Sequence, residues 1–216
     1  MRVGLFGTLM TTAITVGWLH SIAPDHWVPF AAVARARGWS VARTTRVTLF
    51  CGFGHVTVSV LMGLLGLGLG LSVLEVFGRR LESLAGILLI AFGLIYGTWG
   101  LRRALGRQIH GHSHSHYDHV HDPTRVTVWG LFLLFSADPC VAVIPLILGA
   151  APLGPARVVA LVIIYELSTL AAMVAFVLPA RAGVNVVKAR WLDQYGDATA
   201  GAVIAAAGLL VIGLGW

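Results

Sequence analysis

The chain has 216 residues, 57% of them hydrophobic and 11% charged, with a net charge of +6 and a mean hydropathy of +0.85. That balance belongs to integral membrane proteins and excludes a soluble domain with a charged surface. The basic excess does not indicate a nucleic-acid partner, because the Lys and Arg residues flank apolar runs and form no single soluble basic face.

A membrane-crossing helix needs roughly 20 predominantly apolar residues. Six stretches qualify as expected spans: 3–23, 47–71, 83–101, 126–150, 158–179 and 197–216. They are continuously apolar, whereas barrel strands would alternate polar and apolar positions. The expected fold class is therefore an all-α integral membrane protein with six transmembrane helices. The first run is too long for a signal h-region, has only Arg2 ahead of it and carries ionisable residues, so it is expected to stay as a span.

That first stretch, Val3 to Ala34, contains His20-Ser-Ile-Ala-Pro-Asp25-His26. Ionisable side chains in lipid cost free energy unless they pair or bind something, which makes His20, Asp25 and His26 the first functional candidates. In a helix, Pro24 would free the carbonyl of His20, and Pro29 that of Asp25. On an unbroken helix His20 and Asp25 would stand about 140° apart. A break at Pro24 is expected to bring them together, as broken helices do where they line a cavity or are buried in protein.

In the second run, Cys51, His55 and Ser59 recur at intervals of four and share one helix face. Cys51 reads as a small packing residue, as a soft metal ligand or as a redox partner of Cys140. Both thiols lie within apolar runs, so no extracellular disulfide framework is indicated. Gly63, Gly66, Gly68 and Gly70 read as close helix packing, and the sequence holds no nucleotide-binding P-loop. No hydrolytic enzyme is indicated, and the chain is expected not to be an enzyme.

After the third run come His110, His112, His114, His116, His119 and His121, six histidines in 12 residues interleaved with Gly, Ser and Asp. This loop offers imidazole ligands for Ni, Co, Zn or Cu ions; a pH-sensing or merely soluble loop is the other reading.

The fourth run carries Ala137-Asp138-Pro139-Cys140 with Pro145 beyond, which echoes Ala23-Pro24-Asp25-His26 with Pro29 beyond, the Asp and Pro exchanged. In the fifth run, Tyr165, Glu166, Ser168 and Thr169 make a polar patch. Glu166 is the ninth residue of its run, as His55 is of the second. Residues 1–101 and 126–216 would then be two three-span repeats, inverted because each has an odd number of spans, joined by the loop 102–125. A lone His55 or Glu166 could simply hydrogen-bond a neighbouring helix. Taken together, His20, Asp25, His26, His55, Asp138 and Glu166 have no Lys or Arg deep in a run to pair with, and a cation would supply the missing charge. With Cys140 they form the expected metal-ligand set, and Pro24, Pro29, Pro139 and Pro145 are the expected helix breakers.

Eleven of the 15 Lys and Arg residues lie in the first, third and fifth loops, leaving Arg2, Arg79, Arg80 and Arg157 on the other side. By the positive-inside tendency the odd loops, including the histidine-rich one, are cytoplasmic and both termini are outside.

His20 to His26 matches the H-x-x-x-x-D-H signature of the nickel/cobalt transporter families, and six spans with a histidine-rich loop after the third resemble their efflux branch. The uptake branch has more than six spans. Leu134 to Pro145 is also similar to the proline-cysteine motif of the cytochrome c biogenesis and disulfide-reducing membrane proteins, with His26 where a second cysteine would stand. Both likenesses lie within the broad lysine-exporter and cytochrome c biogenesis superfamily. The resemblance implies a secondary transporter of a divalent transition metal in the cell membrane, Ni or Co before Zn, efflux before uptake; ligands that lose protons on binding metal make proton antiport a chemically plausible coupling. It implies no permanently bound cofactor, the lipid bilayer and the metal ion as partners, and leaves a homo-oligomer open. The alternatives are a thiol-disulfide relay using Cys51 and Cys140, and a membrane metal-delivery accessory protein for a metalloenzyme.

Overall fold

The structure, a computed structural model, describes residues 2–69, 71–109, 123–138, 140, 142–186 and 190–214. His110, His112, His114, His116, His119 and His121 lie outside the described residues, as do Gly70 and Pro139.

Helix α1 (Arg2–His20) stops at the first motif histidine. The His20 carbonyl, which Pro24 cannot engage, accepts the Ala23 N–H at 3.2 Å, tightening the chain into a turn. A 3-10 turn, Pro24–His26, follows, and α2 (Val28–Ala36) begins with Pro29 in its first turn, where a missing N–H costs nothing. The arms Gly4–His20 and Pro24–Ala36 are bent by 81°. Pro24 thus marks a real break, while Pro29 starts a helix instead of kinking one.

Helix α3 (Val41–Leu69) begins upstream of the expected residue 47, where the Ser40 hydroxyl accepts the Arg43 N–H at 3.2 Å as an N-cap. Helix α4 (Leu71–Ile109) runs past the expected end at residue 101. The expected fourth span, 126–150, for which Pro139 and Pro145 are the expected breakers, is two helices: α5 (Pro123–Ser136) ends before Asp138, and α6 (Val143–Ala150) starts anew with Pro145 in its first turn. The sequence at the break, Asp138-Pro139, combines a residue without a backbone donor and a side chain that competes for backbone groups. Gly154, at φ 99°, turns the chain into α7 (Pro155–Val186), and α8 (Arg190–Leu214) closes the order.

Among the described residues, four helices are long and apolar enough to cross a membrane, or up to five if the bent α1–α2 pair is one span; α5 and α6 are apolar but shorter. No strand occurs among the described residues. These helices fit a multi-pass membrane protein.

In lipid, helix association draws on close packing, and small residues permit it. Helices α4 and α8 meet closely where a Cβ added at Gly93 would fall on the backbone of Gly201 and Ala205, and one added at Gly201 on the backbone of Gly97. On α3, Gly52 faces Leu170 and Met173 of α7, and Gly54 faces Phe132 and Ser136 of α5. The Cys51-Gly-Phe-Gly-His55 segment therefore lets two helices approach on either side of His55. Gly63 likewise meets Ile147 of α6, as its packing reading anticipates.

At the end of α2, Arg37 ties four helices together. Its Nε donates to the Tyr96 hydroxyl at 2.9 Å and stands 3.2 Å from Asp197 Oδ1, and its Nη2 donates to Thr127 Oγ1 at 3.2 Å. Tyr96 in turn donates to Asp197 Oδ1 at 2.6 Å, and Arg103 reaches Asp197 Oδ2 at 3.4 Å. The guanidinium of Arg37 also lies 4.9 Å from the Trp99 ring centre.

Candidate metal centre

Three elements bring donors to one point. His20 is the last residue of α1, His55 sits in the middle of α3, and Cys140 lies in the break between α5 and α6; one donor atom from each falls within 4.8 Å of the others. Two donors on a tetrahedral ion with bonds of about 2.0–2.3 Å stand about 3.5 Å apart, so the trio closes on an ion with a movement of about 1 Å. His26, in the 3-10 turn, adds a third imidazole, its ring centre 4.2 Å from that of His20 and 5.0 Å from that of His55.

Two of the imidazoles are oriented through Nδ1. His55 Nδ1–H donates to the Phe135 carbonyl at 3.2 Å, which leaves the lone pair on Nε2. His26 Nδ1 stands 3.0 Å from Asp25 Oδ1, the carboxylate–histidine pairing that orients metal-binding imidazoles. The Nε2 atoms of His20, His26 and His55 are all buried without a hydrogen-bond partner. Each such atom costs roughly 1–3 kcal/mol if nothing engages it. Two of these imidazoles, His20 and His55, meet the thiol of Cys140, a donor set that fits a transition-metal ion.

Cys140 is held from two sides. Its N–H donates to the Ser59 hydroxyl at 2.6 Å, and its Sγ is 2.7 Å from the Tyr165 hydroxyl. Ser59 itself donates to the His55 carbonyl at 2.7 Å, so one hydroxyl links the turn that carries the imidazole to the break that carries the thiol.

The remaining expected residues do not join this trio. Asp25 and Asp138 line one cavity between α4, α5 and α8, next to Phe135. Glu166 follows Tyr165 on α7 and has a buried Oε1 with no partner, but it does not belong to the trio. Cys51 packs in an apolar cluster with Phe30, Phe135 and Met173, whereas Cys140 belongs to a second cluster with Val56 and Ile147; both are free thiols. Ser59 and Tyr165 carry no ligand role in the sequence reading. Their signal was present only as a shared helix face and a polar patch, because their partner lies 81 and 25 residues away in the chain.

The chain is similar to the urease accessory protein UreH of Bacillus sp. (strain TB-90), with 26% identity over 116 residues, 52% of this chain and 48% of that protein. It thus spans about half the length of the curated relative it matches. No family model matches the chain, and no solved structure does.

Proposed function

We propose that the chain is a secondary membrane transporter of a divalent transition-metal ion, with nickel or cobalt as cargo and efflux as the direction. The observation that carries this reading is the trio of half-buried His20 with buried His55 and Cys140, two imidazoles and a thiol within 4.8 Å of one another among membrane-capable helices. Nitrogen and sulfur donors suit late first-row ions and not Mg or Ca. Nickel comes first because urease is a nickel enzyme and the similar protein is named as its accessory.

Two inverted repeats, 1–101 and 126–216, joined by the loop 102–125, would supply alternating access. Helix pairing supports this: α1 lies against α7 as α5 lies against α3, and the break between α1 and α2 has its counterpart between α5 and α6. In this reading the six-span layout counts each broken pair once, both termini are outside, and the cytoplasmic loop histidines collect the ion. His26, Asp25, Asp138 and Glu166 serve as outer-sphere or transit groups. Ligands shed protons on binding metal, which makes proton antiport the natural coupling.

Proteoliposomes enclosing a metal-sensitive dye test the proposal. Nickel or cobalt is expected to cross with the wild type and not with His20→Ala; failure of Ni, Co, Zn and Mn alike, or normal transport by His20→Ala, refutes it. The printed name of the relative favours one second reading, a membrane metal-delivery accessory protein, which predicts tight binding without flux. A thiol relay through Cys51 and Cys140 is disfavoured by their separate clusters.

A further inference from the structure

We propose that Ser59 and Tyr165 are positioning residues that set the Cys140 sulfur as the selectivity-determining ligand, so that the site takes thiophilic late d-block ions and rejects hard ones. This rests on the reading that the trio binds the cargo, and it adds which ligand discriminates and what holds it.

Cys140 lies outside any helix, so no backbone ladder fixes it. Two side-chain bonds hold it beside the backbone of Ala142 and Val143, which also bonds its sulfur: Ser59 Oγ at 2.6 Å accepts its N–H, and the Tyr165 hydroxyl at 2.7 Å meets the sulfur. Ser59 also holds the carbonyl of His55, one helical turn before it, at 2.7 Å. The spacing between an imidazole on α3 and a thiol in the α5–α6 break is therefore set by one hydroxyl. Tyr165 and Ser59 are both fully or almost fully buried, so their bonds to Cys140 face no competition from bulk water.

The chemistry follows from which atoms carry hydrogen. When an ion binds, a metal–sulfur bond forms, the S–H bond breaks and the proton leaves to water. The only hydrogen left between Cys140 and Tyr165 is then the phenolic one, and it donates to the sulfur. A hydrogen bond to a ligating thiolate tunes the metal–sulfur bond and fixes its direction. Hard ions want oxygen donors. None of the three carboxylates nearby, Asp25, Asp138 or Glu166, belongs to the trio, and Asp25 is engaged by His26. Selection by charge alone would have placed an acid where Cys140 stands.

The test is titration of the purified full chain in detergent with Ni²⁺ or Co²⁺, followed in the near ultraviolet. Histidines of the loop give no thiolate-to-metal charge-transfer band, so the band reports sulfur only. A band is expected that survives Cys51→Ser and disappears in Cys140→Ser. Tyr165→Phe is expected to keep a band of shifted energy while weakening Ni²⁺ binding about 10- to 100-fold, the usual effect of losing an outer-shell partner. Ser59→Ala is expected to weaken it to a similar degree and Ser59→Thr, which restores the hydroxyl, to recover it. Mn²⁺ binding stays equal in wild type and Tyr165→Phe. Ni²⁺ binding that is lost in His20→Ala but shows no band in the wild type overturns the sulfur assignment and leaves the metal site standing. Unchanged band energy and affinity in both Tyr165→Phe and Ser59→Ala overturn the positioning role. Absence of a Ni²⁺ site sensitive to His20 overturns both readings together.

Discussion

Two polar clusters among the described residues, one half-buried around Asp197 and one around the three histidines, are completed differently. Around Asp197, both carboxylate oxygens are engaged, by Arg37 and Tyr96 on one side and Arg103 on the other, and Arg37 reaches Thr127 as well. Around His20, His26 and His55, each imidazole leaves a buried Nε2 with no partner. A buried polar network whose members are all satisfied rigidifies a fold, whereas unsatisfied groups are expensive and need a reason. The first cluster joins α2 to α4, α5 and α8; the second leaves donor atoms open.

Breaking the first cluster gives the largest expected effect on stability. Asp197→Ala strands the Arg37 guanidinium, side chains only 10% and 13% exposed in the pair, at a cost on the order of 3 kcal/mol. Thermal unfolding in detergent reads this as a lowered midpoint, while Ni²⁺ affinity stays at the wild-type value; a variant that lost affinity without losing stability would erase the distinction between the clusters. Within the second cluster the signs reverse. Asp25→Asn removes the charge that orients His26 and is expected to weaken Ni²⁺ binding about 10-fold with the unfolding midpoint unchanged. Calorimetric titration beside a thermal melt separates the two outcomes.

The same contrast explains what could be read beforehand. Pro24 acts on its own neighbours, so the break beneath the His20–His26 motif was legible from a few residues. The break inside 126–150 carries the same kind of local signal, Asp138-Pro139, although hydropathy alone continues across it. His55 and Cys140 were visible as costly groups in lipid, yet their meeting depends on Gly52 and Gly54 admitting α7 and α5 to the sides of α3, a long-range matter. Arg37 counted in the sequence only as a topological charge; its role as a four-helix tie depends on Tyr96, Thr127 and Asp197, which are far from it along the chain. Ser59 and Tyr165 were legible as polar residues on helix faces, with nothing local to say that both would grip one cysteine.

The most direct test of the central claim is calorimetric titration of Ni²⁺ into protein lacking residues 110–122, so that the loop histidines contribute nothing. The account predicts one tight site per chain that weakens more than about 100-fold in His20→Ala and in His55→Ala, beyond the range of an outer-shell loss. A loopless protein with no tight site, or one whose site ignores both substitutions, would contradict it.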